Sequence, residues 1–359
     1  MAANNSLLLI PDISGFTDFV HNTEISHAQH IISELLEILI DANTNNLELA
    51  EIEGDALFYY KHESILPFND LLDQIKRFYL AFHHHLSLYE NRRICQCGAC
   101  TAAADLNLKF VVHIGAFEFI EVKGRRKPIG SSVIAVHRLL KNKVPSDEYV
   151  ILTDDYLQQT NTKLGSAWTI SSEIYEHLGE IKYHFKDIHD YKNELEGLPE
   201  IVADSLTRPL SIEFDTEVNR HVLDVYELLT NFNYRRMWNS GLDALIYDET
   251  KLNQVGVKHT CVIDGKHIDF ESIKSKKGEG QWIYGEQTED IPFMKRVFTY
   301  NILKANSPES TTITVKAQFE TQNLLGKLMF PIIKRQFAKG VQASFQRLKK
   351  LAESSDSPI

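Results

Sequence analysis

The sequence predicts an α+β protein of two domains, 1–200 and 201–359. Three observations lead there. At 359 residues the chain is long enough for two domains of about 100–200 residues each. Its first part alternates short apolar runs with amphipathic stretches, a mixed α/β or α+β signal, whereas its last part strings strand patterns together and closes on one long helical pattern. Between them, NELEGLPEIVADSLTRP (193–209) holds two prolines, a glycine and no aromatic residue, the composition of a linker.

The elements follow in order. LLLIPD (7–12) is short, continuous and apolar, as a buried strand is. Ser26-His-Ala-Gln29 has the spacing of a capping box, and Ile31, Ile32, Leu35, Leu36, Leu39 and Ile40 form the helical stripe behind it. LELAEI and ALFYYK flank Glu53-Gly54-Asp55 and predict a hairpin. Leu71–Leu88 predicts a helix, LKFVVHIG (108–115) a strand and Ser132–Lys141 a helix. After the linker, LSIEF starts a strand and HVLDVYELLTNF (221–232) an amphipathic helix. Strand patterns fill 257–320, and a helix interrupted by Pro331 spans about Leu324–Ala352.

Composition narrows the function. The 38 Lys and Arg against 49 Asp and Glu leave a net charge of −11, which argues against bulk nucleic-acid binding. No run of 18 apolar residues predicts a transmembrane segment, and MAANNSLLLIPD lacks the basic start of a signal peptide, so a cytoplasmic protein is expected. Of four cysteines, three fall in Cys95-Gln-Cys97-Gly-Ala-Cys100. A disulfide-framed fold is therefore not expected. Cys-x-x-Cys spacing lets two thiolates reach one tetrahedral Zn²⁺, with Cys95, Cys97, Cys100 and a histidine of His83–His85 or a water as ligands; a reduced thiol loop is the competing reading.

Asp12 closes the first strand and Asp55 lies on the hairpin turn, so both stand at a sheet rim. Paired there, they suit Mg²⁺ or Mn²⁺, hard ions that prefer oxygen ligands. Each also has a plainer reading, Asp12 as a helix cap and Asp55 as a turn residue.

Asp12-Ile-Ser-Gly-Phe-Thr17, Gly54-Asp-Ala-Leu-Phe58, His113-Ile-Gly115 and Gly130-Ser-Ser-Val133 followed by Arg138-Leu139 occur in that order. The succession resembles the catalytic domain of class III nucleotidyl cyclases over about residues 6–195. The resemblance implies a ferredoxin-like α+β domain that binds a nucleoside triphosphate at a head-to-tail homodimer interface and forms a cyclic nucleotide. Asp12 and Asp55 match its metal aspartates, and Ile13, Ser14, Gly15, Phe16 and Thr17 its phosphate cradle. Arg138 matches the arginine that stabilises charge at the α-phosphate, and Lys186 falls near a triphosphate lysine. Glu51 occupies the base-reading position and is similar to that of guanylyl cyclases. Its partner position holds Lys127, which matches neither specificity pattern, and Ile134 replaces the asparagine that orients the ribose. Glu53 replaces an apolar residue, as a third acidic ligand or an exposed turn residue.

Residues 208–353 resemble the START-like (SRPBCC) helix-grip superfamily, through Asp224-Val-Tyr-Glu-Leu-Leu, Tyr234-Arg-Arg-Met-Trp238, the strands and the terminal helix. That implies an antiparallel sheet around the long helix and a cavity for a hydrophobic small molecule. Trp238, Trp282, Tyr284, Phe293 and Tyr300 are its candidate lining, or plain core. His259 and His267 read as structural. Two readings stand side by side: a divergent cyclase regulated by that ligand, or a non-catalytic dimer in which the cyclase fold is a scaffold and the second domain carries the function.

Overall fold

The computed structural model describes residues 5–23, 25–198, 211–249, 251–273 and 280–358. The linker candidate from residue 199 on lies outside them, as does the Ser26 side chain; α2 begins at Ile25, so Ser26 stands inside that helix rather than capping it. The chain divides into two compact units, Met1–Ser87 with Gly98–Gly197, and Leu88–Cys97 with Leu198–Ile359.

The first unit begins with β1 (Ser6–Ser14), α1 (Phe16–Asn22), α2 (Ile25–Asp41), β2 (Glu48–Glu53), β3 (Ala56–Lys61) and α3 (Phe68–Asn91). There follow α4 (Gly98–Ala102), β4 (Asn107–Gly115), β5 (Glu118–Val122), β6 (Arg125–Ile129) and α5 (Ser131–Arg138). It ends with β7 (Tyr149–Thr153), α6 (Asp154–Gln159), β8 (Thr169–Tyr175) and β9 (Gly179–Asp187). Among the described residues the main sheet runs β2-β3-β1-β4-β7-β9-β8, with β5 and β6 as a separate hairpin. Only β4 and β7 pair in parallel within it. The rest pair antiparallel.

Strand period two gives this sheet two different faces. Ile10, Val111, Ile151 and Phe185 share one register row and face α5 through Val136 and Leu139. Phe110 lies on the other face and stacks on Phe78 of α3 at 6.3 Å between ring centres. Gly115 sets how α5 enters: a Cβ there would fall 2.1 Å from Ser132 Oγ, so only glycine lets the helix start this close to β4. Behind the α3 face, Glu148 gathers Tyr79 (2.8 Å), His83 (3.0 Å), His189 (2.6 Å) and Lys192 (2.6 Å). Buried, it is nevertheless held well below the usual carboxylate range by these partners.

The second unit contains β10 (Ser211–Val218), α7 (Val222–Thr230), α8 (Phe232–Trp238), β11 (Leu242–Ile246), β12 (Lys258–Ile263) and β13 (Lys266–Ile273). It continues through β14 (Gln281–Thr288), β15 (Met294–Ser307), β16 (Ser310–Thr321) and α9 (Leu324–Ala352). Among the described residues its sheet is wholly antiparallel, in the order β10-β16-β15-β14-β13-β12-β11. Val225 and Leu229 of α7, Trp238 of α8 and Phe345 and Leu348 of α9 share one core with Tyr284, Leu303 and Val315 of the sheet. The helix expected over 221–232 stops at Thr230, because Asn231 turns extended and its side chain accepts from Asn233 N–H to cap α8.

The five candidate lining aromatics do not face one cavity. Trp282 and Tyr284 lie opposite Leu303 and Asn301, which puts Tyr300 on the other face of β15, and Phe293 is exposed. At the centre of this unit, buried Arg235 grips buried Glu286 through two bonds of 2.7 and 2.6 Å. Tyr284 Oη donates to Glu286 at 2.7 Å, and His259 Nε2 stands 3.3 Å from it. Burial opposes the charge on both partners, yet their attraction wins: Glu286 is held far below, and Arg235 above, its ordinary value.

Removing one partner leaves the other charge buried and unpaired. Arg235→Leu is therefore expected to destabilise the second unit by about 3–5 kcal/mol, read from urea unfolding. Adding Glu286→Leu should recover most of that loss.

Candidate functional site

The motif residues of the first unit converge on the rim where β1 ends. Asp12 pairs with Ala56 across β3 and with Lys109 across β4, and Ile13 N–H donates to the Asp55 carbonyl at 3.1 Å. Gly54, at the first position of the two-residue turn, takes φ +72°, which a hairpin this tight requires. That turn carries Asp55 to the Asp12 rim. Burial raises the Asp12 pKa, against the pull of Lys109, whose Nζ lies 2.9 Å from Asp12 Oδ2. Burial, and then the Asp12 charge, raise Asp55 to about 6. The Asp12 charge thus disfavours that of Asp55 in a half-dry setting, and their carboxylate oxygens are hard donors of the kind small divalent cations take.

The cradle residues stay beside them. Gly15 turns left-handed at φ +85° and lets Phe16 and Thr17 start α1, while the buried Ser14 hydroxyl has no hydrogen-bond partner among the described residues.

A cleft of about 440 Å³ lies next to this rim, lined by Glu53, Lys127, Val133, Ile134, His137 and Arg138 among others. The hairpin of β5 and β6 brings Lys127 over β2, where its Nζ meets Glu51 Oε2 at 2.5 Å. The two base-reading positions are thus an ion pair. Glu53 is half-buried and meets His137 Nε2 at 2.9 Å, so it is neither a free turn residue nor simply a third ligand. Arg138 is exposed at the end of α5, and Ile134 presents an apolar side chain, 53% exposed, where a polar one was expected of the motif.

Lys186 stands apart. It follows Phe185, which faces α5, so Lys186 projects from the opposite face of the sheet and lies over the Tyr191 ring at 5.8 Å.

The cysteines form a second centre. Cys100 Sγ lies 3.6 Å from His27 Nδ1. Cys95 and Cys97 precede it in the same six-residue stretch. The histidine is not from the expected triplet: His83 meets Glu148 and His85 meets Glu34 at 2.9 Å.

Lys109, His137 and His27 were not anticipated from the sequence. Strand register, a helix face and a long-range contact select them, and none leaves a local motif. His137 adjoins a motif residue, Arg138, and His27 falls within the capping-box spacing, yet neither position signals its contact.

The model of a family described as a protein of unknown function (DUF2652) matches residues 32–149. Uncharacterized protein Rv2561/Rv2562 of Mycobacterium tuberculosis (strain ATCC 25618 / H37Rv) is 31% identical over 160 residues, 44% of this chain and 73% of that protein. Similar solved structures include the catalytic core of a rhodopsin-guanylyl cyclase with converted specificity in complex with ATPαS, at 13% identity and TM-score 0.37 over 51% of this chain and 95% of that one. Norcoclaurine synthase from Thalictrum flavum in complex with dopamine and hydroxybenzaldehyde is 14% identical, with TM-score 0.32 over 39% of this chain and 84% of that one.

The raised pKa of Asp55 has a stability consequence. A carboxyl whose folded pKa is about 6, against an ordinary 3.8, costs stability once pH exceeds 6, and costs none below 3.8. Asp55→Asn should therefore raise the melting temperature above pH 6, with the gain fading as pH falls toward 4. Thermal unfolding across pH checks this.

Proposed function

The chain belongs to the family of the uncharacterised Mycobacterium tuberculosis protein Rv2561/Rv2562, and from its own residues we propose that its first unit binds a purine nucleoside triphosphate with Mg²⁺ or Mn²⁺ and cyclises it. The carrying observation is that the motif aspartates, distant in sequence, meet at one rim closely enough for Asp12 to raise the pKa of Asp55. Asp12 and Asp55 would hold the cation, which when bound supplies positive charge to the triphosphate and to the attacking hydroxyl. In the reaction the ribose 3′-oxygen bonds to the α-phosphorus, the bond to the β-phosphate oxygen breaks, pyrophosphate leaves and the hydroxyl proton passes to solvent. The backbone of Ile13–Thr17 cradles the distal phosphates, and the permanent charge of Arg138 answers the charge that develops at the α-phosphate. The site is completed in a homodimer. Lys186 has no part in it.

The Glu51–Lys127 pair selects guanine. A carboxylate accepts from guanine N1–H and the 2-amino group, while an ammonium donates to O6. Adenine would set its 6-amino donor against Lys127 and has no N1–H for Glu51. Preference for GTP over ATP by about tenfold or more is expected from one such polar mismatch.

In the second unit, the antiparallel sheet against α7, α8 and α9 supports the START-like reading, with Arg235, Glu286 and His259 as a polar anchor beneath a hydrophobic small molecule. That ligand would regulate the first unit.

Binding of labelled triphosphates with Mn²⁺ tests the main reading. Wild type should bind GTP best and release cyclic product, Asp55→Asn should bind at least about tenfold more weakly, and Lys127→Ala should lose the GTP preference. No Asp55-dependent triphosphate binding would sink the proposal. Retained binding without product would leave the nucleotide-binding scaffold in its place.

The Cys95-Gln-Cys97-Gly-Ala-Cys100 spacing, with His27 Nδ1 3.6 Å from Cys100 Sγ in the first unit, suits a structural Zn²⁺, whose four-coordinate sites favour sulfur and imidazole. Protein purified without chelator should carry about one zinc per chain, and Cys97→Ser or His27→Ala should lower that content and the melting temperature together. Zinc far below one per chain in the wild type would remove the site.

A further inference from the structure

The exposed side of α9 departs from the rest of the molecule in both polarity and charge. Leu324 and Leu328 are 75% and 72% exposed, and Leu325 and Ile332 more than half. Their spacing places all four within about 100° of arc on the helix. The opposite side of the same turns, with Phe330, Ile333 and Phe337, packs on Phe319 and Val297 of the sheet. The leucine stripe is therefore surplus to the fold.

A fifth apolar group adjoins it. Gln322 N–H bonds the carbonyl of Phe293, and a Cβ on Gly326 would fall 2.3 Å from that oxygen. Gly326 thus lets the first turn of α9 abut the Phe293 turn, whose ring is exposed. Phe293 itself adopts φ +66°, a conformation uncommon for a bulky residue.

The charge is as uneven. Helix α9 contains seven Lys and Arg and no Asp or Glu, in a chain of net charge −11. Lys327 and Lys334 flank the leucine stripe, and Arg335 and Lys339 continue it; all four are exposed. Among the described residues no helix is long and apolar enough to cross a membrane; a helix with cations beside an exposed apolar face has the form of one that lies on a membrane surface.

We propose that the exposed face of α9, with Phe293, docks on an anionic lipid bilayer surface. Leu324, Leu325, Leu328, Ile332 and Phe293 enter the headgroup boundary while the cations beside them meet lipid phosphates. Charge complementarity decides for this occupant over a second copy of the chain, because two acid-free faces would repel each other.

Co-sedimentation of the full chain with phosphatidylcholine vesicles, with and without phosphatidylglycerol, tests the proposal at low and high salt. Binding should favour the anionic vesicles and fall with salt. Replacing two cations by Lys334→Glu and Arg335→Glu should weaken it by about tenfold or more, and Leu325→Asp with Leu328→Asp should abolish it. These positions are exposed, so circular dichroism should show both variants folded. Absence of vesicle binding would overturn the proposal, as would equal, salt-insensitive binding to neutral vesicles. So would a change of mass by light scattering in the leucine variant with vesicle binding intact, since the patch would then join copies of the chain.

Discussion

Asp12 stands opposite Lys109 because β1 and β4 run antiparallel in unbroken register, from Ser6 with Gly115 to Ser14 with Asn107. The rest of the first unit's chemistry depends on that alignment. It places a cation 2.9 Å from a carboxylate that burial would otherwise drive toward protonation. It also fixes the face from which α5 approaches, since Ile10 and Val111 share the Asp12 side of the sheet. A slip of one residue would send Asp12 to the α3 side and bring Ile13 to the rim in its place. The acidic rim is therefore a product of strand pairing, and its charge balance is set before any ligand arrives.

The second unit relies on a different device. Its central ion pair is fully enclosed, and Tyr284 and His259 complete the contacts of Glu286. Such a cluster contributes less to net stability than an apolar core of equal volume would, because both charges leave water. Its effect is on geometry: Arg235 comes from α8 and Glu286 from β14, so one rigid bidentate contact fixes that short helix against the sheet.

Much of this was legible in the sequence. The hydrophobic runs gave β1, β4 and the hairpin to within a residue or two, and Leu324–Ala352 is one helix despite Pro331 and two glycines. Order-dependent motifs singled out Asp12 and Asp55, which the fold brings to one rim. The β5–β6 hairpin was missed because its strands are short, charged and mostly exposed, so alternation carried no signal. Lys186 was placed only loosely by its spacing, and the sequence could not say that it lies on the face opposite α5, because parity against a distant strand is not visible there. Lys109 and His27 share that limit: their partners are chosen by tertiary contact. The aromatic residues of the second unit could be read as a lining or as plain core for the same reason.

Gly115 gives the cleft beside α5 a remote point of failure. Because Ser132 sits where its side chain would be, even alanine there must push the start of α5 outward, and that helix carries Ile134, His137 and Arg138 into the cleft. Nothing at Gly115 touches the cleft lining named above. A substitution there would look like a packing defect in a stability screen and like a defect of the cleft lining in any assay that reads the cleft, and the two phenotypes would have a single cause.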